Sequence, residues 1–303
     1  MEGRQRPYDK IYCQEARLMI DLYNIEGTEN ICSHDLNLST YNTPLTWPTF
    51  QEDYEKFKNV IIDSVEKKNP LVMLRIFDGE FHFLKGNAVG NVARRHVSDL
   101  SKVDIQEFKD GFLKADYVMT QLYPDQMAIY NSLFPNRRFD FPMEYAYAVV
   151  ANKWITKEFK GKIGMIGGEK KINLIKNLFE HQQYRDYVGI DGFNDYISVP
   201  EKFACDNVGT LEKEIGEQLE KSSSDIFIFG IGISKLALAH RFKNYKNAVY
   251  LDVGCGISAL AGTTSLERPY FGGWTNFRLN GYDYAGIDPI DYADTAGKSE
   301  IRL

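Results

Sequence analysis

The sequence predicts an α/β protein, Rossmann-like, with a mostly parallel sheet and flanking helices. Three observations carry this. Apolar runs of strand length recur along the chain, segments with helical periodicity stand between them, and several of the runs end on glycine where a helix pattern opens. Strands that alternate with helices in this way need crossover connections, which produce a parallel sheet.

The elements follow in order. From Glu52, the text EDYEKFKNVIIDSVEKK sets Tyr54, Phe57, Ile61 and Val65 at three- and four-residue steps, one face of an amphipathic helix. Leu71 to Phe77 is a buried strand. YVMTQ at 117–121 reads as a strand, MEYAYAVVANKWITKEF as a helix, IGMIG at 163–167 as a strand, and KKINLIKNLF as a helix with Ile172, Ile175, Leu178 and Phe179 on one face. The rhythm continues through YVGI and DYISV, a helix containing Leu211, Ile215 and Leu219, the strand DIFIFG, the helix ISKLALAHRF and the strand NAVYLD. After Asp252 the chain turns Gly-rich and aromatic, which predicts a loop-rich C-terminal segment. Residues 1–50 mix polar residues with Pro and end in TYNTPLTWPTF, where the two prolines disfavour helix. They read as an N-terminal extension to a single unit spanning 51–303.

Composition narrows the function. The chain has 303 residues, 44% of them hydrophobic, enough to bury a sizeable core, so disorder and a disulfide-stapled miniature are excluded. With 36 Lys+Arg against 42 Asp+Glu the net charge is −6, which argues against a nucleic-acid binder and leaves room for a local cationic pocket around a phosphorylated small molecule. Cys13, Cys32, Cys205 and Cys255 match no zinc or redox spacing and read as reduced thiols. The polar start MEGRQRPYDK has no apolar stretch behind it, and no segment approaches the roughly 20 apolar residues of a membrane span. A cytoplasmic protein without a transmembrane segment is expected.

Three constellations carry chemistry. Arg75-Ile-Phe-Asp78-Gly79-Glu80 follows the apolar run Leu71–Leu74, so two carboxylates flank a glycine at a strand's carboxyl end. Hard divalent cations take such oxygen ligands, and Asp78 with Glu80 would hold Mn²⁺ or Mg²⁺ against a diphosphate while Arg75 adds a phosphate contact. The alternative is an Asp-Gly turn with Glu80 capping the next helix. The second constellation is a pair of glycine-bearing strand ends: Gly167-Gly168 with Lys170 and Lys171, and Gly230-Ile-Gly232-Ile-Ser234-Lys235. Free N–H groups at a helix start attract phosphate, but the same glycines also serve tight strand-to-helix packing. Neither stretch is a Walker or G-x-G-x-x-G motif.

The third, Leu251-Asp252-Val253-Gly254-Cys255-Gly256, resembles the first motif of S-adenosylmethionine-dependent methyltransferases, yet too little chain follows for the rest of that fold. A methyltransferase is therefore the second reading, and a non-catalytic nucleotide- or glycan-binding module the third. No G-x-S-x-G elbow occurs and the five histidines form no recognisable pairing. Arg94, Arg95 and His96 face either an anionic substrate or solvent. Tyr270, Phe271, Trp274 and Phe277 would stack on a sugar or a base, or simply fill the core.

Taken in order, the Arg75–Glu80 strand end, the Gly167-Gly168 turn, DIFIFGIGISKLALAHRF and YLDVG resemble the GT-D-type glycosyltransferases, over roughly residues 52–275. The chain departs from that family at Phe77, where glycine is usual, and at Cys255, where many members have histidine. The resemblance implies a GT-D-like, metal-dependent transfer of a sugar from a nucleoside diphosphate donor, a UDP-sugar first among them, onto a glycan acceptor. It implies Asp78 and Glu80 as metal or diphosphate contacts. Gly79, Gly168, Lys171, Gly230, Gly232, Ser234, Lys235 and Arg268 join Arg75 as candidate donor-binding residues. Asp252, Glu144 and Asp288 are candidate bases for the acceptor hydroxyl. A homo-oligomer is compatible with this reading.

Overall fold

The structure, a computed structural model, describes residues 50–87, 95–120, 124–264, 269–275 and 277–287. Residues 1–49, nearly all of the expected extension, lie outside them, as do Arg94, Arg268 and Asp288. Among the described residues the strands are β1 (Leu71–Ile76), β2 (Tyr117–Thr120), β3 (Phe141–Pro142), β4 (Ile163–Gly168), β5 (Asp195–Val199), β6 (Ile226–Gly230) and β7 (Val249–Asp252). They form one seven-stranded sheet in the order β3-β2-β1-β7-β6-β4-β5, and every neighbouring pair is parallel. The Rossmann-like α/β architecture expected from the alternating pattern is therefore present.

The sheet is covered on both faces, which is why its strands read as unbroken apolar runs. All six residues of β1 are buried and alternate between faces. Leu71 and Met73 join Tyr54, Phe57 and Ile61 of α1 (Phe50–Glu66), Val149 of α5 (Glu144–Ala151), and Ile172 and Ile175 of α7 (Glu169–Leu178). Val72, Leu74 and Ile76 join Phe81 and Phe83 of α2 (Asp78–Leu84), Phe108 and Phe112 of α3 (Ile105–Leu113), and Ile215 of α9 (Val208–Lys221). Asp104 and Asn207 cap α3 and α9 by accepting from Gln106 N–H at 3.0 Å and Thr210 N–H at 3.1 Å.

Several elements differ from expectation. YVGI is not a strand: its first two residues end α8 (Gln182–Val188), and Gly189 at φ +85° closes that helix by donating to the Arg185 carbonyl. The helix expected over 143–159 is two helices, α5 and α6 (Trp154–Glu158), because Lys153 takes a left-handed φ of +57° between them. ISKLALAHRF holds one α-helical turn, α10 (Lys235–Leu238), between 3₁₀ turns at Gly232–Ser234 and Ala239–Asn244. Two further helices were not among the expected elements: α3, which is amphipathic, and α4 (Pro124–Leu133), whose apolar residues form no clear stripe. The C-terminal segment contains α11 (Gly256–Leu260) and α12 (Tyr284–Ile287), and it buries Phe271, Trp274 and Phe277. Those aromatics are core, and the Trp274 indole donates to the Val150 carbonyl at 3.2 Å.

One feature of the topology positions the site. β1 and β7 are adjacent, with Met73 opposite Leu251. From β1 the chain enters α2 on one face of the sheet, whereas from β7 it enters α11, whose Ile257 and Leu260 pack on the other. Chains that diverge to opposite faces leave a crevice at the strands' carboxyl ends, the usual ligand position in open α/β sheets.

Candidate functional site

At that crevice a cluster of four charges, three of them buried and Glu80 partly exposed, joins three strand ends. Arg75 is the penultimate residue of β1, and Asp252, 177 residues later, is the last of β7. The Arg75 main-chain N–H donates to Asp252 Oδ2 (3.0 Å), its Nε to the Asp252 carbonyl (3.2 Å) and its Nη2 to Oδ1 (3.3 Å). Nη1 donates to the Tyr147 hydroxyl of α5, and the guanidinium lies 4.9 Å from the Tyr147 ring centre. Gly254 N–H donates to Asp252 Oδ1 at 3.0 Å. Lys235, just past β6, places Nζ 2.7 Å from Asp252 Oδ2 and 2.7 Å from Glu80 Oε1.

The electrostatics follow from burial. Asp252 is fully buried, which on its own pushes its carboxyl upward, but Arg75 and Lys235 hold it below the usual carboxylate range. Burial opposes the Arg75 charge as well, and Asp252 together with Tyr147, Cys255 and Glu80 more than offsets it, so the guanidinium stays charged. A buried ion pair of this kind is costly to desolvate and more costly to break.

The expected acidic pair opens α2. Asp78 and Glu80 lie in its first turn, where negative charge complements the helix N-terminus. Asp78 is exposed and accepts from Gly79 N–H at 2.6 Å. A Cβ built on Gly79 would meet nothing within 4 Å, so this face of the turn is open. Among the described residues no group of three or more His, Cys, Asp or Glu converges on a metal position. Asp78 and Glu80 offer hard oxygens suited to Mg²⁺ or Mn²⁺, and such ions commonly take one or two carboxylates and complete their shell from water and substrate phosphates.

The glycine turns are more closely packed. The Glu201 carboxylate occupies the start of α7, accepting from Lys170 N–H at 2.8 Å, and lies 2.7 Å from where a Gly168 Cβ would stand. An anion at Gly168 therefore has to displace Glu201. Lys171 donates to Ser258 Oγ at 2.9 Å. A Gly230 Cβ would come within 2.6 Å of the Gly254 carbonyl, and Gly232, at φ +61°, would drive one to 2.3 Å from His96 Cε1. Ser234 is buried and donates to the Ile231 carbonyl at 2.7 Å. At 230–234 the glycines serve close packing, one of the two uses that the sequence offers for them.

Of the expected site residues, the structure brings Arg75, Glu80, Lys235 and Asp252 together, with Asp78 and Gly79 on the same turn. Gly168 and Lys171 lie at the end of β4 and the start of α7, where Lys171 reaches Ser258 of α11 instead of the four-charge cluster, and Glu144 is buried at the start of α5. Three participants were not anticipated in these roles: Tyr147 beneath Arg75, Gly254 above it, and His96 against Gly232. His96 is held there by hydrogen bonds from Cys205 N–H to its own carbonyl (3.1 Å) and from Phe203 N–H to the Arg95 carbonyl (2.6 Å). Burial lowers the imidazole to about 4, with Arg95 and Lys235 adding to the effect against the pull of Glu80, so it is neutral near pH 7.

No protein-family profile, no curated protein and no solved structure matches the chain. Fold and crevice together define a Rossmann-like α/β protein, the architecture used by many nucleotide- and cofactor-dependent enzymes. No helix among the described residues is long and apolar enough to cross a membrane. Among the described residues Asp252 closes the last strand in chain order, and both of its carboxylate oxygens are engaged inside the protein.

Proposed function

We propose that this chain is a metal-dependent glycosyltransferase that moves a sugar from a nucleoside diphosphate donor, a UDP-sugar first among them, onto a glycan acceptor. The observation that carries the reading is the junction of Lys235 with Glu80 in the first turn after β1, in the crevice where β1 and β7 diverge. A diphosphate needs positive charge and a divalent ion needs carboxylates, and here both stand within one hydrogen bond of each other.

The residues divide the work. Asp78 and Glu80 would hold Mn²⁺ or Mg²⁺, which when bound neutralises the charge that grows on the departing nucleoside diphosphate. Lys235 would supply a cation to the phosphates. Arg75 is buried and engaged by Asp252 and Tyr147, so it orients Asp252, and Asp252 in turn holds the Lys235 ammonium. Asp252 thus acts as a positioning residue and does not touch an acceptor. Electrostatics preorganised in this way stabilise a leaving group without reorganisation during the reaction.

The test is turnover with a panel of nucleotide sugars in Mn²⁺ and in chelator, comparing wild type with Asp78→Ala and Glu80→Ala. Release of nucleoside diphosphate that needs metal and falls at least a hundredfold in both variants supports the reading. Metal-dependent release that survives both substitutions, or binding of S-adenosylmethionine in place of any nucleotide sugar, overturns it.

A further inference from the structure

Lys235 is held by two carboxylates that differ in what else they do. Asp252 is fully buried and also binds Arg75, so it retains the ammonium from inside the protein. Glu80 comes from the first turn of α2, keeps 14% of its side chain exposed, and gives Oε1 to the same ammonium at 2.7 Å. That oxygen is one that a divalent ion would need. Resting on the reading above, we propose that Lys235 is an internal competitor for the metal: its ammonium occupies the Glu80 carboxylate, and a divalent ion gains Glu80 only as the ammonium gives it up.

Charge accounting gives the consequence. Arg75 and Lys235 balance Asp252 and Glu80, so these four groups sum to zero, and with exposed Asp78 on the same turn the site carries one negative charge, which a divalent ion alone turns into a positive excess. A divalent ion arriving alone adds two positive charges beside a lysine already in place, and like charges at contact distance in a poorly solvated site repel strongly. A diphosphate arriving with the ion cancels that excess and offers the displaced ammonium new oxygens, while Asp252 keeps the lysine at the crevice. Metal and diphosphate therefore bind as a pair, each weakly without the other, and an ion cannot settle at the site without donor. Lysine suits this exchange better than arginine, because its compact ammonium on a flexible stem turns between acceptors without a fixed bidentate geometry.

The test uses the full chain and follows free Mn²⁺ by electron paramagnetic resonance during titration, with and without UDP, for wild type, Lys235→Met and Lys235→Gln. The glutamine variant keeps a neutral hydrogen-bond donor to Asp252 and guards against a folding failure in the methionine variant, and thermal melts identify which proteins are folded. Without UDP, the folded variants are expected to hold Mn²⁺ at least tenfold more tightly than wild type. UDP is expected to raise the wild-type affinity for Mn²⁺ at least tenfold and the variants' affinity far less. Equal Mn²⁺ affinity in wild type and the folded variants, or no binding by any of them, overturns the competition whatever UDP does. Tighter Mn²⁺ binding by the variants with no response of wild type to UDP supports the competition and instead removes the diphosphate donor from the functional reading.

Discussion

Gly254 lies directly over the guanidinium of Arg75: a Cβ at position 254 would stand 1.6 Å from Arg75 Nη2, and the residue's φ is +45°. The glycine after β7 is therefore required twice, by its backbone conformation and by the close approach of a buried side chain. Gly254→Ala would strain the turn by about 1–3 kcal/mol and also push Arg75 off Asp252. A loss of about 3 kcal/mol or more in urea unfolding is expected, and a loss below about 0.5 kcal/mol would show that the guanidinium has room elsewhere.

Asp252→Ala leaves buried Arg75 without its carboxylate and Lys235 with Glu80 as its one remaining acidic partner among the described residues. Breaking a buried pair by removing one partner costs about 3–5 kcal/mol. The comparison is Arg241→Ala, which removes a partly exposed arginine paired with Glu107 and Glu212 and is expected to cost about 1 kcal/mol or less. Chemical denaturation of the two variants side by side checks the ranking. Equal losses would mean that the cluster at the crevice is solvated rather than buried.

Stability should fall on mild acidification. Burial lowers His96 and His240 to about 4, against about 6.5 for an unfolded histidine. Between these values the unfolded chain binds more protons than the folded one, so unfolding becomes easier as pH drops from about 6.5 toward 4. Asp252, held below its ordinary value, adds a further loss only below the unfolded carboxylate range. Melting temperatures from pH 7.5 to 4.5 are expected to decline, and the decline is expected to flatten in His96→Gln/His240→Gln. An unchanged slope in the double variant would place the acid sensitivity elsewhere.

Glu201 closes the start of α7 from a loop 31 residues further along the chain. Glu201→Ala leaves the Lys170 N–H without its acceptor and is expected to destabilise the protein by about 0.5–2 kcal/mol, the usual range for a lost helix cap. Glu201→Gln, which keeps an accepting oxygen, should recover most of it. Thermal unfolding of both variants measures the difference.

The sheet was legible because its central strands are buried on both faces. Leu71–Ile76 and Ile226–Gly230 are runs that only a parallel, doubly covered strand accounts for well. The failures have local causes. In α8 only Tyr184 and Val188 are buried, so HQQYRDYV gives little helical period, and the αL glycine that ends it stands in a short apolar run that resembles a strand. The break at Lys153 carries no glycine or proline to announce it. At the site, the strand ends supplied Arg75, Asp78, Glu80, Lys235 and Asp252 as separate candidates. Their union was not legible, since it depends on β7 inserting between β1 and β6, a long-range pairing that no local pattern encodes. Tyr147 was hidden within an apolar helix, and its hydroxyl acquires meaning only once Arg75 is placed against it.

The most direct measurement is a crystal structure of the full chain grown with UDP and Mn²⁺. The expected result is a diphosphate beside Asp78 and Glu80 at the carboxyl ends of β1 and β7, with the Lys235 ammonium turned from Glu80 toward the phosphates. Nucleotide bound at another part of the molecule, or none bound at saturating concentration, would contradict the assignment.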